Sequence, residues 1–337
     1  MIRLRDFIRV GDCYFSVVGY EHSDGVKCLL RYVPDERGDR RDIFGRKYRK
    51  LDHEEALGYD RFRNFHRDGI FLIPNSKIDE IYRPDEKLEE IRVRDEIVDR
   101  IADFFDLPKM GVTGSRLIGL NKPNSDVDFV AYGRRNFKLG RRRIKEGIEE
   151  GELAPPDLVR VYRKRRNPLP FEVFRVHEER KFNKAVLNGI HLDLLFVRDD
   201  ELAPVPERKG NRMGTSNITA IVTDSRYAFD YPACYFVDHS IVEAVLSFTH
   251  SFVGQVFEGE VLEARGVLEE IDNKIYLIVG TRRDPKEEYI VSRTLLKLFD
   301  LEYVFDQWKA KTFKCTSKSS LENLGGGAGD GGTPVGR

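Results

Sequence analysis

The chain has 337 residues, which is enough for two or three domains, and its 57 basic and 57 acidic side chains leave no net charge. This balance gives no indication for or against a nucleic-acid partner. No apolar run approaches the length that spans a bilayer, and the first residues lack the apolar core of a signal peptide. We therefore exclude an integral membrane protein and expect a soluble, cytoplasmic one.

Composition also bears on thermal stability and on the cysteines. Charged residues make up 34 % of the chain, above the quarter that is usual for soluble proteins, and methionine occurs only three times. This predicts a thermophilic protein whose surface charges form ion-pair networks. Because no Cys-X-X-Cys spacing occurs, we expect reduced or buried thiols rather than a zinc site at Cys13, Cys28, Cys234 and Cys315.

Residues 1–65 are predicted to form an N-terminal β-rich region, because apolar and polar residues alternate there. A turn near Ser23 would place Cys28 opposite Val17 or Val18. Residues 46–50 form a basic strand around Tyr48, which could contact phosphates and stack on a base. An edge strand whose lysines prevent aggregation explains the same pattern, and we favour that interpretation.

Residues 84–105 carry an apolar stripe at helical spacing, which predicts a helix. Pro84 and Asp85 suit its N-terminus, and Pro108 prevents its continuation. We expect the stripe to pack against the sheet of a central domain.

Residues 110–132 contain the strongest functional signal. A short apolar strand leads to Gly114, which lets the backbone approach a ligand, and to Ser115, which can open a short helix whose free N–H groups favour phosphate. Further on, Asp126 and Asp128 alternate with apolar side chains, so both carboxylates should share one face of a strand. Such acids repel each other unless a cation lies between them, and hard oxygen ligands favour Mg²⁺ or Mn²⁺.

Two basic runs follow this strand, at residues 134–145 and 160–166. Basic side chains beside an active site can neutralise a triphosphate or a polynucleotide backbone, so Arg141, Arg142 and Arg143 are candidate nucleic-acid contacts. A solvated helix face explains the first run equally well, and it is the better explanation of the second.

Residues 189–197 form another apolar run with one central carboxylate, Asp193. Leu192, Leu194 and Phe196 should point to one side and Asp193 to the other. Burying an unpaired acid is costly, so Asp193 is either a metal ligand, which we favour, or a paired structural carboxylate.

The remainder divides into two parts. Residues 206–312 are predicted to form a C-terminal β-rich domain, a small barrel or sandwich, with an oligonucleotide-binding barrel as one possibility. Strands are expected at 218–222, 233–237, 252–264 and 274–279, with a hairpin turn at Asp272-Asn273 and a helix at 295–309. Residues 313–337 read as a flexible Gly-rich tail. This leaves residues 66–205 as the central, catalytic domain.

The combination of Gly114-Ser115, Asp126-Val127-Asp128 and the later Asp193 resembles the nucleotidyltransferase superfamily of DNA polymerase beta, the CCA-adding enzymes and the kanamycin-type transferases. The overall layout also resembles an archaeal group described as predicted nucleotidyltransferases. The resemblance implies an α+β fold, with a palm-like mixed sheet and helices, in which the three acids surround paired metal ions.

The resemblance also assigns the nucleotide site. It implies that Gly114 and Ser115 bind the triphosphate, and Gly119 falls where many members carry a second glycine. Ile118 stands where many relatives have an arginine, so we assign that role to Arg116.

We therefore expect a Mg²⁺-dependent (or Mn²⁺-dependent) enzyme that moves a nucleoside monophosphate from an NTP such as ATP to an acceptor hydroxyl. RNA or DNA is the favoured acceptor, whereas a protein or a small molecule stays open. Two alternatives remain: a nucleic-acid-binding protein without catalysis on the same fold, and a sensor that binds a nucleotide without turnover.

Overall fold

The computed structural model describes residues 1–199, 203–281 and 287–322, except for the side chains of 314–322. Within these ranges helices and three sheets combine in an α+β fold, as predicted. None of the described helices has the length and apolarity needed to cross a membrane.

The N-terminal region is one antiparallel sheet with the order β4-β5-β3-β2-β1-β8, in which β7 also pairs with β3. The predicted pairing of Cys28 with Val17 is confirmed, and Cys13, Cys28 and Cys234 are free, buried thiols. One short helix, α1 (His53–Leu57), follows the fifth strand. The strands are β1 (Phe7–Val10), β2 (Cys13–Val17), β3 (Val26–Pro34), β4 (Arg40–Arg41), β5 (Lys47–Lys50), β6 (His66–Arg67), β7 (Ile70–Ile73) and β8 (Glu80–Tyr82).

The basic strand β5 is not an edge strand, contrary to our favoured interpretation. It pairs with β3 on one side and with β4 on the other. Its central Tyr48 is buried with Tyr14 and Tyr32 in the core that the N-terminal sheet shares with the central domain. The opposite face of the sheet has its own core, around Phe15, Leu30 and other residues.

A β-bulge at Arg31 determines which side chains of β3 point to each of these two faces. Tyr14 pairs with Tyr32, but the next residue, Phe15, pairs with Leu30, so Arg31 is an extra residue. Bulges of this kind re-aim side chains. As a result Leu30 lies in the N-terminal core, whereas Tyr32 lies against the central domain.

The predicted helix over 84–105 is two helices, α2 (Pro84–Arg94) and α3 (Glu96–Phe105). Asp95 separates them in an extended conformation and caps α3, because its carboxylate accepts a hydrogen bond from Val98 N. The apolar stripe continues across the break and packs on the central sheet, as expected.

The central sheet has the order β11-β12-β10-β9, and its two inner strands, β10 and β12, are parallel. Helices α3 and α4 cover one face, where Phe129 and Leu194 are buried. On the other face Leu4 packs on Val130 and Val197, towards the carboxyl ends of the strands. The elements are β9 (Met110–Thr113), β10 (Val127–Tyr132), α4 (Arg134–Glu150), α5 (Leu158–Arg165), α6 (Phe171–Glu179), β11 (Lys184–Leu187) and β12 (Ile190–Val197).

The C-terminal domain is a six-stranded sheet whose pairings close on themselves. Five strands pair in the cycle β13-β14-β15-β17-β16, β16 pairs back to β13, and β18 also pairs with β16. The elements are β13 (Asn211–Asp224), β14 (Ala233–Asp238), β15 (Val242–Ser247), β16 (Val261–Ile271), β17 (Lys274–Val279), β18 (Tyr289–Ser292), α7 (Arg293–Leu298) and α8 (Glu302–Glu322).

Several C-terminal predictions need correction. The hairpin turn at Asp272-Asn273 is confirmed, and both residues have positive φ. The strand expected at 252–264 begins only at Val261, β15 and β18 were not predicted, and the helix expected at 295–309 is two helices. The tail predicted from residue 313 begins inside α8, which continues to Glu322, while residues 323–337 lie outside the described residues.

A buried ionic junction joins the three regions. Arg198, at the end of β12, pairs with Glu207 at 2.6 Å and with Asp230 at 2.9 Å. Tyr20 of the N-terminal region donates a 2.8 Å hydrogen bond to Asp230 and lies under the Arg198 guanidinium. All three charged side chains are almost fully buried.

Candidate active site

Asp128 and Asp193 lie side by side on the two parallel inner strands of the central sheet. They are direct partners in the parallel pairing of β10 with β12, so their backbones are about 4.8 Å apart. Lys184 and Thr113 continue the same row on β11 and β9. Within the described ranges neither carboxylate accepts a hydrogen bond or forms an ion pair. Burial, and then the charge of Asp193, raise the pKa of Asp128 to about 6.

Asp126 lies next to this pair, but it precedes β10 rather than belonging to it. Its carboxylate accepts hydrogen bonds from Arg160 Nη2 and Lys164 Nζ, each at 2.7 Å. Burial by itself raises the pKa of Asp126, but these two cations outweigh it and hold that pKa below its ordinary value. The second basic run, which we expected to be a solvated face, therefore reaches the acids through α5.

The Gly114-Ser115 segment approaches Asp128 closely, but it opens no helix. Gly114 has φ +73°, a conformation that favours glycine, and a Cβ at this position would lie 2.7 Å from Asp128 Oδ2. The chain continues as a turn that Leu120 N closes by donating to Ser115 O at 2.8 Å. Ser115 lies near the Tyr32 phenol of the N-terminal sheet. The expected helix N-terminus is thus replaced by a turn.

Arg116 does not face the acids. Its guanidinium is 3 % exposed, pairs with Asp95 and donates a 2.8 Å hydrogen bond to Ser125 O. It therefore links the break between α2 and α3 to the loop before Asp126. The predicted contact of Arg116 with a triphosphate receives no support from this arrangement.

The three arginines proposed for nucleic-acid contact are placed differently from one another. Arg141 donates to Lys181 O at 2.5 Å and stacks over the Phe229 ring. Arg143 donates to Phe105 O. Only Arg142 is exposed, and it lies near Glu146 on the surface of α4. A run of charges cannot reveal this, because guanidinium groups that bind internal carbonyls and those that face solvent look alike in a sequence.

One cation of the N-terminal sheet, Lys50, also borders the acids. Lys50, at the end of β5, lies within electrostatic reach of Asp128, Lys164, Arg31 and Arg40. Enclosure by the protein, and then the neighbouring arginines, lower the pKa of Lys50 to about 8. The sequence offered one signal for a cation at this position, namely the basic strand around Tyr48.

Arg5 borders the site on another side and was also not predicted. It is a non-glycine residue with φ +75°, and its carbonyl accepts a 2.7 Å hydrogen bond from Thr113 Oγ1. Together with Arg165, His250 and Asp193 it lines a small enclosed cavity. Strained backbone of this kind is concentrated at functional sites.

The fit of a divalent cation rests on the unpartnered Asp128 and Asp193. Among the described residues, no three Asp, Glu, His or Cys side chains lie at the spacing of a preformed metal centre. In the described part of the chain the two carboxylates on adjacent strands form no ion pair, and paired carboxylates are the donor set that Mg²⁺ or Mn²⁺ prefers. Asp126 could add a third ligand, since it is the next acid along the same chain segment.

Comparison with known proteins agrees with this geometry. The family model described as "Nucleotidyltransferase domain" matches residues 94–183, which include Gly114, Ser115, Asp126 and Asp128. The uncharacterised protein MJ1086 of Methanocaldococcus jannaschii is 33 % identical, and the match covers 86 % of this chain and 98 % of that protein. No solved structure matches significantly.

Proposed function

The chain belongs to the nucleotidyltransferase superfamily of the polymerase-beta type, and on this premise we propose that it transfers a nucleoside monophosphate from an NTP to an acceptor hydroxyl, releasing pyrophosphate. The observation that carries the proposal is the register of Asp128 with Asp193 beside the Gly114 turn. Two carboxylates without partners next to a close backbone approach suit a metal-bound nucleotide.

In this proposal Asp128 and Asp193 hold Mg²⁺ or Mn²⁺, together with Asp126. When bound, the metal neutralises phosphate charge and lowers the pKa of the attacking hydroxyl. Asp193 accepts the proton of that hydroxyl. The turn that follows Gly114 presents its backbone N–H groups to the phosphates.

The acceptor that we propose is RNA or DNA. Helix α5 and its C-terminal end expose Arg163, Lys164 and Arg166 next to Asp126, which gives a polynucleotide backbone a cationic approach to the site. The C-terminal sheet is a weaker candidate for this contact. Part of its outer surface, around Cys234 and Leu246, is covered by Val205 and Tyr227 of the same chain.

Radiolabel transfer tests the proposal. The full chain is incubated with each α-³²P-labelled NTP, Mg²⁺ or Mn²⁺, and total RNA or DNA, beside an Asp128→Asn variant. Label that enters nucleic acid only with the intact acid supports the proposal. Label that enters the protein would indicate protein modification instead.

Two alternatives remain, a nucleotide sensor without turnover and a nucleic-acid-binding protein without catalysis. Saturable NTP binding with no consumption and no label in any acceptor would contradict the proposed transfer and favour this alternative. Nucleic-acid binding that EDTA leaves unchanged, again without transfer, would favour a binding protein.

A further inference from the structure

The loop between β4 and β5 presents two large apolar side chains to solvent. Ile43 is 79 % exposed and Phe44 is 88 % exposed. Single apolar side chains are common on protein surfaces. Two adjacent ones at the tip of a hairpin form an apolar patch, and such patches are typical of surfaces that another molecule covers.

Hydrogen bonds hold this tip in one conformation. Asp42 Oδ1 accepts from Phe44 N and from Arg46 N, each at 2.9 Å. Asp42 N donates to Arg46 O and Gly45 N donates to Asp42 O, each at 3.0 Å. Arg41 Nη1 adds a 3.2 Å hydrogen bond to Gly45 O. Because these bonds already fix the backbone of the loop, a partner that covers Phe44 does not have to order it first.

Basic side chains flank the tip. Arg41 and Lys47 are direct cross-strand partners, so two like charges share one face of the hairpin. Both donate hydrogen bonds to backbone carbonyls, which leave the positive charge in place. Arg46, by contrast, pairs with Asp12. Residues 36–47 contain five basic and three acidic side chains. Positive charge beside an exposed aromatic ring complements a partner that has both anionic groups and flat apolar faces.

The hairpin is attached to the edge of the candidate active site. Arg40, which points to the other face of β4, donates a 2.6 Å hydrogen bond to Leu120 O. Just before it, Asp39 pairs with Lys122. Both contacts are made to the loop that precedes Asp126. A nucleic-acid strand whose end lies at the acids can therefore extend onto the hairpin.

We propose that the tip of this hairpin binds a single-stranded segment of the acceptor nucleic acid, with a base stacked on Phe44 and the flanking phosphates on Arg41 and Lys47. This inference rests on the proposed function, since it names a surface that holds that reaction's acceptor. Base stacking on an aromatic ring and salt-dependent phosphate contacts are the two elements of single-strand binding. Tyr48, which the sequence suggested for stacking, is buried.

The size of the patch favours a nucleic acid over a protein partner. Stable protein interfaces bury about 1,200 Å² or more in total, with apolar side chains at their centre. The tip offers only Ile43 and Phe44, surrounded by charged residues. One aromatic ring is sufficient for a base, because stacking on a single ring contributes about 1–3 kcal/mol.

Fluorescence anisotropy on the full chain tests the proposal. The probes are labelled RNA and DNA single strands of about twelve nucleotides and the corresponding duplexes. Phe44→Ala should weaken binding of the single strand about tenfold or more with an unchanged salt dependence. Binding of the duplex should change far less, because its bases are already stacked. Tyr303→Ala is the matched control, since it removes an aromatic ring that is 74 % exposed on α8, and it should match the wild type.

A second variant tests the phosphate contacts separately. Arg41→Gln combined with Lys47→Gln should reduce the slope of the logarithm of affinity against the logarithm of salt concentration by about one. Melting curves of all variants verify folding. An unchanged slope would remove the two cations from the proposed surface.

The outcomes separate this inference from the proposed function. Single-strand binding that is absent, or that Phe44→Ala leaves unchanged, overturns the hairpin surface even if label transfer succeeds. Phe44-dependent binding without transfer from any NTP keeps the surface and rejects the proposed reaction. If Phe44→Ala weakens binding of ATP but not of the single strand, the ring contacts the donor and the proposal is wrong. It is also wrong if the substitution only separates a dimer in size-exclusion chromatography.

Discussion

At the scale of single residues, the carboxylate pair of Asp128 and Asp193 carries the proposed chemistry. Replacing Asp128 by Asn removes a proposed metal ligand and also the repulsion between two neighbouring acids. We expect nucleotidyl transfer to fall about a hundredfold or more, while the melting temperature at pH 7 stays the same or rises. Asp199→Asn, just beyond the carboxyl end of β12, removes an exposed acid paired with Lys109 and should leave transfer unchanged. Full activity of Asp128→Asn would contradict the assignment.

Metal affinity should depend on pH through the same pair. With a pKa of about 6 in the folded protein, Asp128 binds a proton that competes with Mg²⁺ at lower pH. Calorimetric Mg²⁺ titrations at pH 5.0 and 7.5 should show clearly weaker binding at the lower pH. The stability of the metal-free protein should change in the opposite direction to the metal affinity. Because the pKa of Asp128 is raised in the folded state, the folded state loses stability as pH rises from about 4 to about 6.

Asp6 predicts a second pH effect, on the stability of the fold. It is completely buried, and among the described residues only one of its oxygens accepts a hydrogen bond, from Arg3 N at 2.8 Å. Burial raises its pKa to about 7, so its contribution to stability falls as pH rises from about 4 to about 7, at up to about 1.4 kcal/mol per pH unit. Asp6→Asn should therefore increase the melting temperature more at pH 8 than at pH 5. A pH-independent effect would refute this interpretation.

At the scale of secondary structure, Asp95 joins the break between α2 and α3 to the turn that follows Gly114. Its carboxylate caps α3 and pairs with the buried Arg116. Asp95→Ala leaves that guanidinium without a partner, and we expect a loss of about 3–5 kcal/mol in the free energy of unfolding, measured with urea. Asp99→Ala, which removes an exposed acid paired with Arg92, should cost below about 1 kcal/mol. Equal costs would show that the buried pair has no special role.

The same elements show what the sequence could and could not predict. Alternation of apolar residues was sufficient to predict the β12 strand and the orientation of Asp193 and Leu194. In a sheet with one buried face every second side chain of a strand points into the core, so apolar residues recur at every second position. The break at Asp95 was missed because the apolar stripe has the same spacing on both sides of it. The roles of Arg116 and Arg141 were not predictable, since they depend on carbonyls and acids distant in the chain.

At the scale of the whole molecule, the Arg198 junction holds the three regions together. Arg198→Ala would leave Glu207 and Asp230 buried without their cation, at a cost of about 3–5 kcal/mol. Scanning calorimetry should show a lower melting temperature and separate transitions where the wild type has one. The control is Arg208→Ala, which removes an exposed pair with Asp272. Unchanged cooperativity of Arg198→Ala would contradict a linking role.

The composition predicted a thermophilic protein, and surface ion pairs of the expected kind are present. Arg92, for example, pairs with Glu89, Asp99 and Asp103 at once. Networks of this type stabilise mainly at high temperature. The thermophilic origin stays a prediction that a melting midpoint in the ordinary mesophilic range would reject.

The parallel pairing of β10 with β12 has a consequence for the order of folding steps, because it determines when Asp128 and Asp193 come together. Asp128 and Asp193 are separated by more than sixty positions along the chain, and α4, α5 and α6 lie between them. Contacts between residues so far apart in the chain form late and slowly. Closing the long loop costs conformational entropy before the strand pairing contributes any stabilisation. The acid pair should therefore assemble in one of the last steps of folding. In a refolding experiment, Mg²⁺ binding should return after helical circular dichroism has recovered.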